Sequence, residues 1–531
     1  MSNQNAGTRE FNRFASAPGS ELPRSQFNLS HGLKTAINGA YLYPTLCMEM
    51  LPGDTFNVRE NLYGRFYTMK RPVMHPIHLT TFYFAVPVRL LWDNWEKFHG
   101  YRTGPSDTDV QTDFSVPEVT VPVGGFSDES LYDYLDIKPG VEHDRVNALF
   151  ARAYTFIWQE WFRDGDLIDE PTWSTGDGPD ADTVHVLRKR AKRKDYLTSC
   201  RPWPQAPGSD VVIPLGDTAP VVSTGDVPTV NFTGGTNEDW LITQSVGMYA
   251  VPLPAGAETV TWGDESGLET DLSSAEAGTI NQLREAFQIQ RVFEREARSG
   301  RRHVEHLKAF WGVTSPDFRL QRPEFVSGDR NTIMINAVEQ TAQQYAPTDP
   351  VPGDLTAHGI VASSGHGFAY SATEHMVLIG LVNLHADVAY QDGLHKKHWR
   401  GTDRFDYPLP QLMHLGEQVV EAREAYADAA DQDAVFGYQE RWAEYRFAES
   451  RVTGAMRSSH PTSLDVEHLA LDFGAEPSLN QAFIEEDPPF DRVLLVPNGE
   501  TRPALRLDMW YEIKASRIMP TYSVPGLIDH L

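Results

Sequence analysis

The sequence predicts a mainly β protein in which a β-sandwich carries large loop and helical insertions. Two observations lead to this fold class. Several segments have the alternating or doubly apolar pattern of strands, and the 36 proline and 40 glycine residues suit many strands joined by turn-rich loops. Eight strands of ordinary length need only about 50 residues, so most of this 531-residue chain must lie outside the sandwich.

The first strand pair is predicted within residues 51–100, where the local pattern is clearest. A turn at 52–54 (PGD) leads into an alternating run whose apolar positions share one face: Phe56, Val58 and Leu62. Residues 77–86 (IHLTTFYFAV) are apolar or β-branched on both faces, which predicts a strand buried between two layers. We expect Pro87 to end it, because proline cannot donate to a ladder.

Helical spacing is confined to a few segments. It appears first at Trp92, Trp95 and Phe98. Apolar residues recurring every three or four positions predict a helix over 146–161, with Asp144 as its N-cap, and two more over 283–297 and 304–311. A weaker pattern covers 412–426. Later strands are predicted at four segments, namely 331–338 (NTIMINAV), 376–384 (MVLIGLVNL), 492–496 and 505–513.

Composition narrows the class of protein. With 46 basic and 73 acidic residues the net charge is −27, which disfavours a protein that coats nucleic acid with its whole surface. No apolar run reaches about 18 residues, so we expect no membrane insertion. The two cysteines, Cys47 and Cys200, are too few for a disulfide framework or a cysteine-based zinc site. Residues 1–24 are polar and lack a secretory signal's apolar core, which predicts a flexible N-terminal arm.

One dense basic block interrupts this acidic chain, at residues 188–194. Its candidate nucleic-acid-binding residues are Arg188, Lys189, Arg190, Lys192, Arg193 and Lys194. Tyr196 and Trp203 lie close by in sequence, and single-stranded nucleic acid favours such a pairing of cations with rings that can stack on bases. A solvated loop, or a salt-bridge site between subunits, is an equal alternative.

A second segment has the opposite charge. Between Pro202 and Leu283 there is no lysine or arginine but there are eleven carboxylates, so phosphate would be repelled. The composition, rich in threonine, valine, glycine and proline, predicts an acidic β-rich insertion at 206–276, exposed as a surface protrusion. A mobile surface loop is the alternative.

Catalytic and metal motifs are few. The sequence contains neither a phosphate-binding glycine loop ending in Gly-Lys-Ser/Thr nor a His-Glu-x-x-His pair. The pairs His75 with His78 and His395 with His398 supply too few ligands for a typical zinc site. Residues 363–367 lack the Gly-x-Ser-x-Gly elbow, and 485–487 form an acidic loop. We therefore predict no catalytic residue, no metal site and no cofactor.

Seven stretches in a fixed order carry a resemblance that covers nearly the whole chain. They are 25–35, 51–56 (LPGDTF), 86–95 (VPVRLLWDNW), 195–205, 279–284 (TINQLR), 312–324 and 435–446 (VFGYQERWAEYR). In these stretches the chain resembles the major capsid proteins of the microviruses, tailless single-stranded DNA phages, and especially their gokushovirus-like branch. It departs at 72–74 (PVM), where the family has an acidic residue next and this chain has His75.

The resemblance implies a single eight-stranded jelly roll over residues 25–531 that assembles into a T=1 icosahedral shell around circular single-stranded DNA. It also implies three protein partners: a small basic DNA-binding protein, a DNA pilot protein and an internal scaffolding protein. The insertion would meet a host cell-surface receptor, and assembly would occur in the bacterial cytoplasm to give a virion. The alternative is a β-sandwich carbohydrate-binding protein or glycosidase, and a glycosidase needs two carboxylates about 5–10 Å apart.

Overall fold

A computed structural model gives the fold of the chain. It describes residues 24–100, 113–205, 221–223, 229–233, 240–241, 243–245, 248–250, 259–262, 268–270, 280–299, 303–313, 320–339, 341, 353–495 and 503–522. The chain divides into two compact units, Met1–Pro202 with Ser315–Leu531, and Trp203–Thr314. Except for Arg24, the predicted N-terminal arm lies outside the described residues.

Among the described residues of the first unit, ten strands form two antiparallel sheets. The strands are β1 (Ser25–Asn28), β2 (His31–Ile37), β3 (Leu42–Met50), β4 (Thr55–Phe66), β5 (Ile77–Pro87), β6 (Glu324–Thr332), β7 (Met334–Glu339), β8 (Leu355–Ser371), β9 (Met376–Ala386) and β10 (Leu505–Arg517). Sheet I has the order β1/β2, β10, β4, β8, β7, with β1 and β2 pairing with successive parts of β10. Sheet II has the order β6, β5, β9, β3.

The strand order is that of a jelly roll. Without β1 and β7, each sheet has four strands, and β2, β3, β4 and β5 alternate between the sheets, as do β8, β9 and β10. Among these eight strands, only β5 and β6 are consecutive neighbours within one sheet, and the connection between them carries residues 88–323. The predicted mainly β fold, an eight-stranded jelly roll with large insertions, is confirmed.

The apolar patterns decide which faces are buried. Phe56, Val58 and Leu62 of β4 point into the core between the sheets, as predicted. Strand β5 is buried on both faces because a second apolar layer packs on the outer face of sheet II. That layer contains α1 (Leu149–Ile157), which continues into a π turn at Trp158–Phe162. We call residues 88–100 and 113–200 the covering layer.

Shorter elements complete the first unit. In the covering layer they are Val88–Leu90, Trp95–Phe98, Val119–Thr120, Leu131–Tyr134 and Asp180–Ala181. Between β9 and β10 they are Lys396–His398, Arg404–Asp406, Pro410–Leu412, Glu417–Glu421, Ala422–Ala425, Val435–Glu440, Ala443–Tyr445, Gly454–Met456, Asp465–Glu467, Gln481–Ile484 and Phe490–Val493.

Four predicted elements were wrong in type or extent. The strand predicted at 331–338 is broken at Ile333, a buried residue where the chain passes from β6 in sheet II to β7 in sheet I. Residues 490–493 are helical rather than extended, because Phe490 packs against Phe66 with ring centroids 5.4 Å apart. The segment 412–426 contains the strand Glu417–Glu421 and only a short helix, Ala422–Ala425. Helix α1 begins at Leu149, so its N-cap is Ala148 rather than Asp144, and the Leu149 N–H donates to the Asn147 side chain at 2.8 Å.

The second unit combines short strand pairs with two helices. Its described strands are Val221–Ser223, which pairs with Leu268–Thr270, Thr229–Thr233, which pairs with Trp240–Leu241 and Thr259–Trp262, and Thr243–Ser245, which pairs with Met248–Ala250. The helices are α2 (Ile280–Ser299) and α3 (His303–Trp311). The remainder of the predicted 206–276 insertion lies outside the described residues. No helix in the described part of the chain is long and apolar enough to cross a bilayer.

Candidate nucleic-acid interface

The basic run 188–194 is an extended segment fixed by backbone hydrogen bonds on both sides. On one side Leu42 N–H donates to the Arg188 carbonyl, and Arg190 N–H donates to the Ala40 carbonyl, both at 3.1 Å. On the other side Lys192 N–H donates to the Ile484 carbonyl at 2.7 Å. The run therefore belongs to the framework of the first unit, and its side chains have fixed directions.

Its first two side chains are used within the protein. The Arg188 guanidinium lies over the Trp158 ring, 4.7 Å from the ring centroid, and burial lowers its pKa. The Lys189 ammonium forms an ion pair with Asp487 at 3.0 Å and lies 5.5 Å from the centroid of the Tyr41 ring. Both cations thus help to fasten the covering layer.

Two further cations are largely buried. Arg190 lies over Phe82 at 5.7 Å and faces Glu486, whose pKa is raised by burial to about 7. Lys192 is only 7% exposed, and its ammonium donates to the Phe483 carbonyl. Burial lowers the pKa of Lys192 to about 8. These two residues add positive potential but present little surface to a ligand.

The last two cations reach solvent. The side chains of Arg193 and Lys194 are 44% and 55% exposed. Arg193 is 3.9 Å from Asp387, and Lys194 forms an ion pair with the buried carboxylate of Asp164. Of the six predicted residues, these two have the exposure that a phosphate contact requires.

A pocket of about 480 Å³ joins these cations to aromatic rings. Arg190, Lys192, Arg193 and Lys194 form part of its wall, and the rings that line it are Phe82, Phe84, Trp161, Phe162 and Phe325. Trp161 and Phe325 are 41% and 43% exposed, with centroids 6.0 Å apart. Cations next to exposed rings suit single-stranded nucleic acid, whose bases stack while its phosphates pair with cations.

The rings predicted from sequence proximity are not the ones in the pocket. Tyr196 is buried, and its hydroxyl donates to Glu424 at 2.7 Å. The pocket rings come from β5, β6 and the π turn, which lie far apart in sequence. The doubly apolar pattern of 77–86 was a signal for Phe82 and Phe84, and it showed that both faces are covered but not what covers them.

The histidine pairs have structural partners. His75 hydrogen-bonds to the Asp387 carbonyl at 2.5 Å, and His78 is 3.4 Å from the Asp387 carboxylate. His395 Nδ1 accepts from the Lys397 N–H at 3.1 Å. Among the described residues, no group of three or more histidine, cysteine, aspartate or glutamate side chains is arranged to hold a metal ion.

Comparison with known proteins shows the family to which the chain belongs. The family model described as "Capsid protein (F protein)" matches residues 15–527. The chain belongs to this capsid-protein family. It is 41% identical to Capsid protein VP1 of Bdellovibrio phage phiMH2K over 525 residues, which is 97% of each chain. It is 35% identical to Capsid protein VP1 of Chlamydia phage 1, over 97% of this chain and 98% of that one.

A third relative extends the agreement. Capsid protein VP1 of Spiroplasma virus 4 is 32% identical over 99% of both chains. The predicted identity, a major capsid protein of a microvirus, is confirmed. Membership of this capsid family makes the chain a structural component of a virion and indicates that its role is assembly rather than catalysis.

Proposed function

We propose that this capsid protein assembles into a T=1 icosahedral shell enclosing a circular single-stranded DNA genome. The observation that carries the proposal is the family match over residues 15–527, with relatives aligned over 97% or more of both chains. Contacts around the symmetry axes would be heterologous, with modest affinity per contact multiplied by closure of the shell.

The charge of the chain supports a division of labour among virion proteins. A net charge of −27 keeps the shell surface from aggregating but does not neutralise a genome. A small basic DNA-binding protein would supply most of that neutralisation. A DNA pilot protein and an internal scaffolding protein complete the proposed set of partners, with assembly in the cytoplasm of the bacterial host.

The proposed DNA contact of the basic run is carried by its exposed end. Arg193 and Lys194 would touch phosphate on the inner surface, next to the rings of Trp161 and Phe325. The other four cations, Arg188, Lys189, Arg190 and Lys192, would hold the segment in place and strengthen its positive potential. This division follows from their burial and their partners within the protein.

The acidic insertion 206–276 is proposed to be the surface protrusion that meets a host receptor. Its segment carries eleven carboxylates and no lysine or arginine, so it would be repelled by the genome and is better suited to the outside. Long excursions from a compact domain are commonly binding elements.

Electron microscopy of the assembled product tests the proposed shell. The full chain is produced together with the other virion proteins, and the particles are separated by size-exclusion chromatography. We expect closed particles of T=1 symmetry that contain single-stranded DNA. A stable monomer with glycosidase or sugar-binding activity would instead support the carbohydrate-active alternative.

A further inference from the structure

The outer face of sheet I exposes two large aromatic side chains. Tyr63 on β4 is 51% exposed and Trp510 on β10 is 49% exposed. The outer face of sheet II is buried under the covering layer, whereas these two rings lie on the side of the sandwich that meets solvent. Exposed tyrosine and tryptophan on a regular sheet are typical of a surface that binds a partner.

The register of the strands places the two rings close together. Trp510 is directly opposite Asn61 of β4, and Tyr63 is directly opposite Asp508 of β10, so the rings are diagonal neighbours. Diagonal side chains on adjacent strands are about 7–8 Å apart. Sheets that bind single-stranded nucleic acid use aromatic residues on adjacent strands in this way to stack two or three bases.

A glycine gives the indole of Trp510 its position. Gly32 of β2 is directly opposite Trp510, and a Cβ atom at Gly32 would lie 3.2 Å from the indole Cε3. The ring therefore occupies the space that a side chain at position 32 would fill. Because the ring leans on the neighbouring strand and is still half exposed, it offers a supported surface on which a base can stack.

The charges on this face have the opposite sign from the protein as a whole. Five outward-facing residues are basic, namely Lys34, Arg59, Arg65, Arg506 and Lys514. Two are acidic, Asp508 and Glu512, so the local net charge is 5 − 2 = +3, whereas the whole chain has −27. Among the described residues of this face, Lys34 forms an ion pair with Asp508 at 3.2 Å, and Glu512 is directly opposite Arg59 without an ion pair between them.

Three of these cations are free to meet a ligand. Within the described part of the chain, the side chains of Arg59, Arg65 and Lys514 have neither an ion pair nor a hydrogen bond, and all three are exposed. Between them lie the amides of Asn57 and Asn61. Unpaired cations, amides and two rings together match the phosphates, base edges and base faces of a single nucleic acid strand.

We propose that the outer face of sheet I binds single-stranded DNA without sequence preference. Bases stack on Tyr63 and Trp510, and phosphates contact Arg59, Arg65 and Lys514. This surface is on the opposite side of the sandwich from the pocket beside the basic run, which lies on the outer side of sheet II. Because opposite faces of a sandwich in a shell wall cannot both face the interior, this site and the DNA contact proposed for Arg193 and Lys194 are alternatives. The inference rests on the proposed function only for the choice of ligand.

The test measures binding of the purified full chain to a fluorescent oligothymidylate of about 20 nucleotides, longer than most single-domain sites. Replacing both rings (Tyr63→Ser with Trp510→Ser) should weaken binding by about 10-fold or more, because each stacked base contributes substantially. The matched ring control is Tyr522→Ser, since Tyr522 is 86% exposed and lies outside this face.

Charge variants test the phosphate contacts independently of the rings. Replacing Arg59, Arg65 and Lys514 by glutamine should reduce the slope of log affinity against log salt by about 2, since each contact to a single strand contributes about 0.7. Lys138→Gln with Lys397→Gln is the charge control, because both lysines are exposed elsewhere. Thermal unfolding checks that each variant is folded, and Trp510→Phe, which keeps a ring, should bind within a few-fold of the wild type.

The outcomes separate this proposal from the proposed function. Wild-type affinity in the folded ring and charge variants overturns the sheet I site. If those variants bind normally while Arg193→Gln weakens binding, the contact at the basic run stands and this one fails. Loss of self-association in the same variants, with DNA binding intact, would show that a second copy of the chain covers the face, and would also overturn the proposal.

Discussion

At the scale of single residues, Arg152 is the clearest case of a side chain that holds an insertion in place. It is fully buried in α1 and donates to both carboxylate oxygens of Asp180, at 2.7 and 2.8 Å. The same guanidinium donates to the carbonyls of Leu91 and Gly176 at 2.9 Å. One residue thus joins three parts of the covering layer.

Removing that guanidinium should be costly. We expect Arg152→Met to lower the free energy of unfolding by about 3–5 kcal/mol, because the Asp180 carboxylate would be left buried without its main partner. Arg145→Met is the control, since Arg145 pairs with Glu118 at the surface, where a pair contributes about 0–1 kcal/mol. Denaturant unfolding of the unassembled chain measures both. Equal losses in the two variants would contradict the role given to Arg152.

Asp180 should make the free energy of unfolding depend on pH in the acidic range. Burial alone would raise its pKa, but hydrogen bonds from Arg152 and His185 outweigh burial and lower the pKa from 3.8 to about 2. Because the folded-state pKa is below the unfolded one, the stabilisation is complete above pH 3.8 and is lost as the pH falls towards 2. Unfolding curves recorded across this range should show the loss in the wild type. Asp180→Asn should be less stable than the wild type above pH 3.8 and should lack this part of the pH dependence.

The basic run should divide into contacting and structural residues. Arg193→Gln should reduce the salt dependence of binding to single-stranded DNA by about 0.7 in slope without unfolding the chain, because Asp387 keeps its ion pair with Arg330 at 3.0 Å. Lys192→Met should leave that slope unchanged, because the Lys192 ammonium is buried against Phe483. Equal effects of the two substitutions on the slope would show that burial does not separate the six residues.

At the scale of strands and helices, the sandwich depends on close approach between β4, β8 and β10. Gly64 of β4 faces inward, and a Cβ there would lie 2.7 Å from Val361 Cγ1 and 2.9 Å from Leu507 Cδ2. We expect Gly64→Val to destabilise the chain by about 1–3 kcal/mol through overpacking. The double variant with Val361→Ala should recover part of the loss. Ala362→Val, on the outer face of β8, is the control and should be nearly neutral.

The strands could be predicted from the sequence wherever one face of the strand is buried and the other is exposed to solvent. The alternation in β4 and β10 gives that information residue by residue. The break at Ile333 could not be predicted, because it depends on β6 and β7 belonging to different sheets. The short apolar run at 492–496 was ambiguous by length alone, and packing of Phe490 on Phe66 decided for a helix.

At the scale of the whole molecule, the candidate DNA surfaces show what sequence order can and cannot reveal. The basic run was visible because its cations are consecutive. The pocket rings and the outer face of sheet I were not, because Trp161 and Phe325, or Tyr63 and Trp510, meet only after the sheets form. Alternation predicted that Trp510 lies outside the core, but its neighbours come from β2 and β4, more than 400 residues away.

Basic and acidic residues are distributed unevenly over the molecule. The outer face of sheet I carries more basic than acidic residues, whereas the insertion 206–276 has no lysine or arginine. If the insertion acts outside the shell, its removal should separate assembly from infection. We expect a chain in which residues 206–276 are replaced by a short glycine–serine linker to form particles of normal size and DNA content, because the strands of both sheets lie outside this segment. The same particles should no longer adsorb to the host bacterium.

Charge reversal of a few exposed residues elsewhere, such as Lys138→Glu, provides the control for non-specific electrostatic effects on adsorption. Normal adsorption by the deletion particles would rule out the attachment role, and failure to assemble would place the insertion among the contacts that close the shell.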